Sequence, residues 1–184
     1  VALPSTLYDF QVELHHVDRG LEQQLHVKVA RHPSETLERL WLRALAFCWC
    51  WEERLAFGPG LSEADSADLL ATDYAGNVTQ WIRVGKLDAE KAQRVLDRNS
   101  GAKVTLVFEA PRKMAEFVEE ARAAELVRTA RLELAAIDPE LLRGLAADES
   151  RRAKLSLTIV GDHFYVDRGG NALDGPLERT RLET

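Results

Sequence analysis

"TDYAGNVTQWIRVGK", residues 72–86, places turn chemistry at Ala75-Gly76 between two stretches of alternating character. A two-residue loop there pairs Thr72 with Thr79, Ala71 with Gln80, Leu70 with Trp81, Leu69 with Ile82 and Asp68 with Arg83. Opposite residues share a face. One side of the ribbon is therefore predicted to carry Leu69, Ala71, Gln80, Ile82 and Val84, and the other Asp68, Leu70, Trp81 and Arg83. Beyond it, Asp88 is placed to cap a helix with Ala92, Val95 and Leu96 inward. "AKVTLVFEA" (102–110) then reads as a strand apolar on both faces, as in the middle of a covered sheet. Strand, crossover helix and strand make a parallel unit, and the hairpin joined to it predicts a mixed sheet.

Upstream, Tyr8, Phe10, Val12 and Leu14 alternate, "DRG" (18–20) interrupts, and Leu25, Val27 and Val29 resume, which predicts a first antiparallel hairpin. "RHPSETLERLWLRALAFCWCWEERLAFGPG" (31–60) switches to helical spacing, with Ser34 as the expected N-cap, Glu35 in the first turn and Gly58-Pro59-Gly60 as the stop. Apolar on nearly all sides from Leu40 to Trp51, this helix is expected at the centre of the fold. An acidic loop, "SEADSAD" (62–68), follows it. Downstream, Pro111 opens a helix with Met114, Phe117, Val118 and Ala121 on one face. "RLELAAI" (131–137) is a strand and "PELLRGLAA" (139–147) a short helix, and "KLSLTIV" (154–160) with "HFYV" (163–166) closes the chain around Gly161-Asp162. From Asp167 the periodicity is lost, which predicts one domain over 1–166 and a loosely attached tail over 167–184. The fold class is α/β (α+β), a single domain with a mixed central sheet flanked by helices.

With 184 residues, 46% of them hydrophobic, the chain can bury one sizeable core, and no shift in composition asks for a second domain. A net charge of -6 disfavours indiscriminate attraction to nucleic acid or anionic membrane and leaves room only for a local basic patch. "VALPSTLYDF" lacks the features of a signal peptide and no run is long enough to span a bilayer, so a cytoplasmic protein without membrane association is expected. Cys48 and Cys50, two apart in a helical run, point to different faces and read as buried thiols. The five histidines are scattered, and most of them read as surface or loop residues. Walker, dinucleotide, nucleophile-elbow and H-E-x-x-H signatures are absent.

Three polar positions remain. Asp68 opposite Arg83 is either a cross-strand ion pair on a solvated face, worth about 0.2 to 1 kcal/mol, or part of a site with a second carboxylate. Leu42, Ala46, Trp49 and Glu53 follow helical spacing, so Glu53 ends an apolar stripe and pairs with Arg54 or Arg43, or joins the polar groups of the hairpin. Gln80 on the apolar side needs partners for its amide, since each unsatisfied group costs roughly 1 to 3 kcal/mol, and backbone supplies the simplest ones.

"ARHPSETLERL" (30–40), "LAF", "ERLAFGPGLS" (53–62), "DYAGN" (73–77) and "WIRVG" (81–85), taken in order and spacing, resemble the YaeQ family of bacterial proteins, most strongly over 30–95. The resemblance implies a variant of the PD-(D/E)XK restriction-endonuclease-like fold. Nucleases of that superfamily hold a divalent metal with an aspartate on one strand and a D/E-x-K tripeptide on the next, often with a glutamate from the preceding helix. Hard carboxylate oxygens suit Mg²⁺, the metal stabilises charge building on phosphate, and the lysine helps activate water. Carried onto this chain, the resemblance implies Asp68 with Glu53 as metal ligands and Mg²⁺ as the cofactor, and a rearranged site would add Asp73 as a metal ligand with Gln80 as a neutral oxygen ligand beside it. Lys86, Lys91 or Arg94 would supply the cation. The tripeptide position departs from the pattern, reading Arg83-Val84-Gly85, where the resemblance implies that relatives commonly carry an acidic residue at the place of Arg83. A guanidinium opposite Asp68 takes the space of a metal.

Two functions follow from the resemblance. The first is a nuclease-like framework with a degenerate metal site that binds nucleic acid or an acidic protein without cutting, through Arg83, Lys86, Lys91, Arg94 and Arg98. The second is a metal-dependent nuclease or phosphodiesterase with a rearranged site around Glu53, Asp68, Asp73 and Gln80. Arg83 favours the first.

Overall fold

Alternation in the first thirty residues becomes two long strands, β1 (Thr6–His16) and β2 (Leu21–Arg31), joined through a 3₁₀ turn at Val17–Arg19. Gly20 closes that turn at φ +59°, where an L side chain is strained. Tyr8, Phe10, Val12 and Leu14 bury against Leu25, Val27 and Val29, as their spacing predicts. The computed structural model describes residues 3–58 and 66–182.

Helix α1 (Leu37–Trp49) starts two residues later than expected, with Thr36 as N-cap accepting from Arg39 N–H at 3.2 Å. Ser34 is unsuited to the role because its hydroxyl is bound to His32 Nδ1 at 2.7 Å. The helix also ends earlier than the glycines at 58–60. Arg19 reaches the carbonyls of Trp49 (3.4 Å) and Trp51 (2.8 Å), and the apolar run beyond them becomes an edge strand, β3 (Leu55–Phe57). Three apolar residues carry no period of their own, so this strand could not be told from a helix end. Residues 62–65 of the expected acidic loop at 62–68 lie outside the described residues.

The hairpin of β4 (Leu69–Thr72) and β5 (Val78–Val84) has the expected pairing of Leu69 with Ile82, Leu70 with Trp81 and Ala71 with Gln80. Toward the turn it departs: a bulge shifts the register so that Thr72 faces Val78 rather than Thr79. Then follow α2 (Ala89–Arg98), β6 (Lys103–Phe108), α3 (Pro111–Ala123), β7 (Leu132–Ile137), α4 (Pro139–Ala146), β8 (Arg152–Val160), β9 (His163–Arg168) and β10 (Asn171–Thr180). Asp88 caps α2 by accepting from Lys91 N–H at 2.8 Å, and β5, β6 and β7 run parallel, as the crossover reading requires.

The ten strands form one sheet in the order β2-β1-β8-β9-β10-β7-β6-β5-β4-β3. It curls around α1 and α4, whose Leu40, Trp41, Leu42, Leu45, Leu141 and Leu145 share one core with residues from each of these strands. Phe10 stacks on Trp41 at 4.4 Å within it. A second, smaller core lies on the outer face of β5–β7, where α2 and α3 cover Trp81, Val104, Leu106, Leu132 and Leu134.

The expected loose tail is instead β10, which pairs with β9 through Pro176 and with β7 from Leu177 onward, and so joins the two halves of the sheet. Its inward residues alternate at Leu173, Gly175 and Leu177. Glycine and proline disguised the pattern, and packing accounts for the glycine. A Cβ at Gly175 would meet Asp138 Cβ at 2.9 Å and Leu141 Cβ at 3.0 Å, so α4 lies directly on the strand.

Candidate functional site

Asp68 stands just before β4 and donates its N–H to Ile82 C=O at 2.9 Å, which sets it opposite Arg83. Only 2% of its side chain is exposed. Its Oδ2 accepts from Val84 N–H at 2.8 Å and lies 3.7 Å from Arg83 Nε, while Oδ1 accepts from Arg39 Nη2 at 3.0 Å. Arg83 Nη1 donates to Ser66 C=O at 2.8 Å, and its Nε is buried with no hydrogen bond, held by charge alone. The predicted pair therefore exists, but it is buried and is bracketed by a second guanidinium from α1.

That second guanidinium belongs to a longer chain of charges. Glu35, buried ahead of the N-cap, binds Arg39 Nη1 at 2.5 Å and Arg43 through Nε (2.9 Å) and Nη2 (2.6 Å). Arg43, Glu35, Arg39, Asp68 and Arg83 thus alternate in sign, three cations to two carboxylates. Sequence reasoning missed Glu35 and Arg39 as members of the site. The signal was the spacing of four between Glu35, just ahead of the N-cap, and Arg39 and Arg43 on one face of α1, which becomes meaningful only once α1 lies over β4 and β5.

The remaining predicted ligands do not converge on Asp68. Glu53 lies beyond the end of α1, exposed, two residues before Leu55, which faces Ala71, so it sits toward the turn end of the hairpin. Asp73 lies at that end too, roughly 16 Å from Asp68 at about 3.3 Å per residue of strand. It is committed to its own turn: Oδ1 accepts from Ala75 and Asn77 N–H, both at 2.9 Å, and Oδ2 from Asn77 Nδ2 at 3.0 Å. The Asn77 side chain and backbone, followed by the other turn amides, lower its pKa. Gln80 donates to Cys50 C=O at 3.4 Å, the backbone reading of its amide.

Of the expected cations, Arg83 alone reaches Asp68. Gly85 occupies the lysine position of the tripeptide at φ +80°, a backbone conformation that a lysine adopts only with strain. A Cβ on Gly85 would lie 3.9 Å from Arg39 Nε, whereas Lys86, the next residue, is exposed and shares a groove with Glu109, Glu116 and Glu120. Lys91 is 3.9 Å from Asp88, and Arg94 is paired with Glu90 at 2.6 Å.

These residues do not fit a divalent metal. An ion with two charges about 4 Å from each guanidinium would meet a repulsion of about 8 kcal/mol per arginine at an effective dielectric near 20. Among the described residues, no group of three or more His, Cys, Asp or Glu side chains is arranged to hold a metal.

Fold and site together define a class: a single mixed α+β domain whose nearly closed sheet wraps two helices and buries an arginine-bracketed aspartate at the head of the β4–β5 hairpin. The family model described as "YaeQ protein" matches residues 1–175, and the chain belongs to that family. It is 30% identical over 175 residues to the uncharacterized protein YaeQ of Escherichia coli (strain K12), covering 95% of this chain and 94% of that one. It is 28% identical over the same length to the Salmonella typhi protein of the same description. Among solved structures, the YaeQ protein of Xanthomonas axonopodis pv. citri superposes with a TM-score of 0.87 at 24% identity, covering 97% of this chain and 99% of that one. The Pseudomonas syringae YaeQ protein gives 0.85 at 30% identity, with 97% of each chain covered. No helix among the described residues is long and apolar enough to cross a membrane.

Proposed function

We propose that this chain is a non-catalytic binding module that keeps a framework of the PD-(D/E)XK kind and engages the phosphates of a nucleic acid without cutting them. The observation that carries the proposal is the double guanidinium clasp on Asp68, with Arg39 at 3.0 Å and Arg83 at 3.7 Å, where a nuclease of that kind needs an aspartate open to metal. Phosphate is the partner because, among the described residues, the charge chain has one cation in excess. The surface is small: Arg94 on α2 is neutralised by Glu90, and Arg128 nearby neutralises Asp97 rather than adding free charge.

Such a surface binds weakly and with strong dependence on salt. Fluorescence anisotropy with labelled single- and double-stranded DNA and RNA should show affinity falling about ten-fold between about 50 and about 200 mM salt, as two neutralised phosphates require. The strands should remain intact in Mg²⁺ or Mn²⁺. Cleavage would instead support a metal-dependent nuclease with a rearranged site, and binding to no nucleic acid at the lower salt would remove the proposal.

A further inference from the structure

At the opposite end of the parallel strands lies a cavity of about 430 Å³, walled by the beginnings of β5, β6 and β7, the end of α1, the last residue of β1 and the β8–β9 turn. It belongs to the mouth of the curled sheet, a common position for a small-molecule site. Nothing in the Asp68 site contributes to it, since Gln80 on its wall is separated from Arg83 by roughly 10 Å of strand.

Its centre is Glu133, whose side chain is 4% exposed although β7 is otherwise apolar on both faces. Lys103 Nζ lies 2.5 Å from Oε2, and Arg179 donates to Oε1 from Nε (2.9 Å) and Nη2 (2.5 Å). Burial alone would raise the pKa of this carboxyl. Hydrogen bonds and charge from Lys103 and Arg179 outweigh it, and the net shift is downward. Glu133 is thus a buried anchor that fixes two half-exposed cations on the wall, each with donors left over: Lys103 has two more N–H bonds, and Arg179 has Nη1, which makes only a long hydrogen bond to Asp162 Oδ1 at 3.5 Å.

The remaining walls supply the opposite sign. Asp162, on the β8–β9 turn, touches Arg179 Nη1 only loosely at 3.5 Å, and its side chain is 58% exposed. Asp18 accepts from Gly161 N–H at 2.6 Å through Oδ2 and keeps Oδ1. Counted together, Arg19, Lys103 and Arg179 balance Asp18, Glu133 and Asp162. A simple anion entering here meets the rim carboxylates, and a simple cation meets three cations. A molecule that carries both signs meets neither penalty, because opening the 3.5 Å contact exposes a guanidinium donor and a carboxylate acceptor side by side. His16 is 6% exposed, lines the same cavity and has a buried Nδ1 with no hydrogen-bond partner. Burial, then the charge of Arg19, disfavours its protonated form, so it offers neutral hydrogen bonding and leaves the balance unchanged.

We propose that this cavity is a binding site for a small zwitterion of the free α-amino acid class. The α-carboxylate is held by Arg179 Nη1 and Lys103, the α-ammonium by Asp162, and the side chain lies along Trp49 and Cys50. The site is independent of the nucleic-acid reading of the Asp68 region.

Calorimetric titration of the full chain with each of the twenty L-amino acids, and with acetate, inorganic phosphate and n-butylamine as single-sign controls, tests it. At least one amino acid should bind while all three controls fail. Asp162→Asn, an exposed substitution that leaves the core intact, should weaken that amino acid about ten-fold or more, as should Lys103→Met. Equal binding of acetate or phosphate, binding of no amino acid, or unchanged affinity in Asp162→Asn would each overturn the assignment.

Discussion

Replacing Asp68 with asparagine isolates the charge that holds the centre of this molecule together. Asparagine keeps one carbonyl oxygen, so it can accept from Val84 N–H or from Arg39 but not from both, and its amide nitrogen then faces a donor. Two guanidiniums lose their common counter-ion. Removing one partner of a buried ion pair costs about 3 to 5 kcal/mol. Here the guanidinium side chains are 21% and 14% exposed, and Arg39 retains Glu35, which puts the expected loss near the lower bound, about 3 kcal/mol. For a chain of 184 residues, each kcal/mol lowers the melting temperature by about 2 to 4 °C, so Asp68→Asn should melt about 6 to 12 °C below the parent protein. Thermal unfolding followed by circular dichroism, with urea unfolding at neutral pH as the independent measure, reads this directly. Glu53→Gln, an exposed change with no place in the charge chain, should leave the transition where it is. A melting temperature for Asp68→Asn within about 2 °C of the parent would refute the reasoning, because a solvated cross-strand pair would have that effect.

Gly175→Ala should destabilise the protein by about 1 to 3 kcal/mol in urea unfolding, since its methyl group would sit 2.9 Å from Asp138 Cβ and 3.0 Å from Leu141 Cβ. Thr36→Ala should cost about 1 kcal/mol through loss of the α1 cap, and Ser34→Ala less, when the two are compared by the same method. Glu133 has a lowered pKa in the fold, so it contributes stability above the ordinary carboxylate pKa and loses it as the pH falls through the lower folded value. The gap between the parent and Glu133→Gln in urea unfolding should therefore be widest near neutrality and close in acid.

The hairpin register was legible because Ala75-Gly76 supplies turn chemistry and because burying Leu69, Ala71, Ile82 and Val84 on one face leaves no freedom to slip by one residue. That placed Asp68 beside Arg83 before any tertiary information. The bulge near Thr72 was not legible, since both candidate partners, Val78 and Thr79, suit a strand. Glu53 was assigned to the site because apolar spacing runs unbroken past Trp49. The helix stops there for a reason outside that segment, Arg19 binding the carbonyls of Trp49 and Trp51. The expected tail failed in the same way, because Gly175 answers to α4 rather than to its own neighbours in sequence. His16, read as one of several scattered surface histidines, is buried in the cavity wall, and its neighbours there come from positions 103, 133 and 179. One local sign of that cavity was present: a glutamate in the otherwise apolar "RLELAAI", which in a covered parallel strand demands a counter-charge.

Calorimetric titration with Mn²⁺ and Mg²⁺ of the parent chain beside Arg83→Glu bears most directly on the idea that arginine has taken the place of metal at Asp68. The parent should give no heat of binding, and the charge reversal should create a saturable site. A parent chain that binds either ion, with the binding abolished in Asp68→Asn, would contradict it.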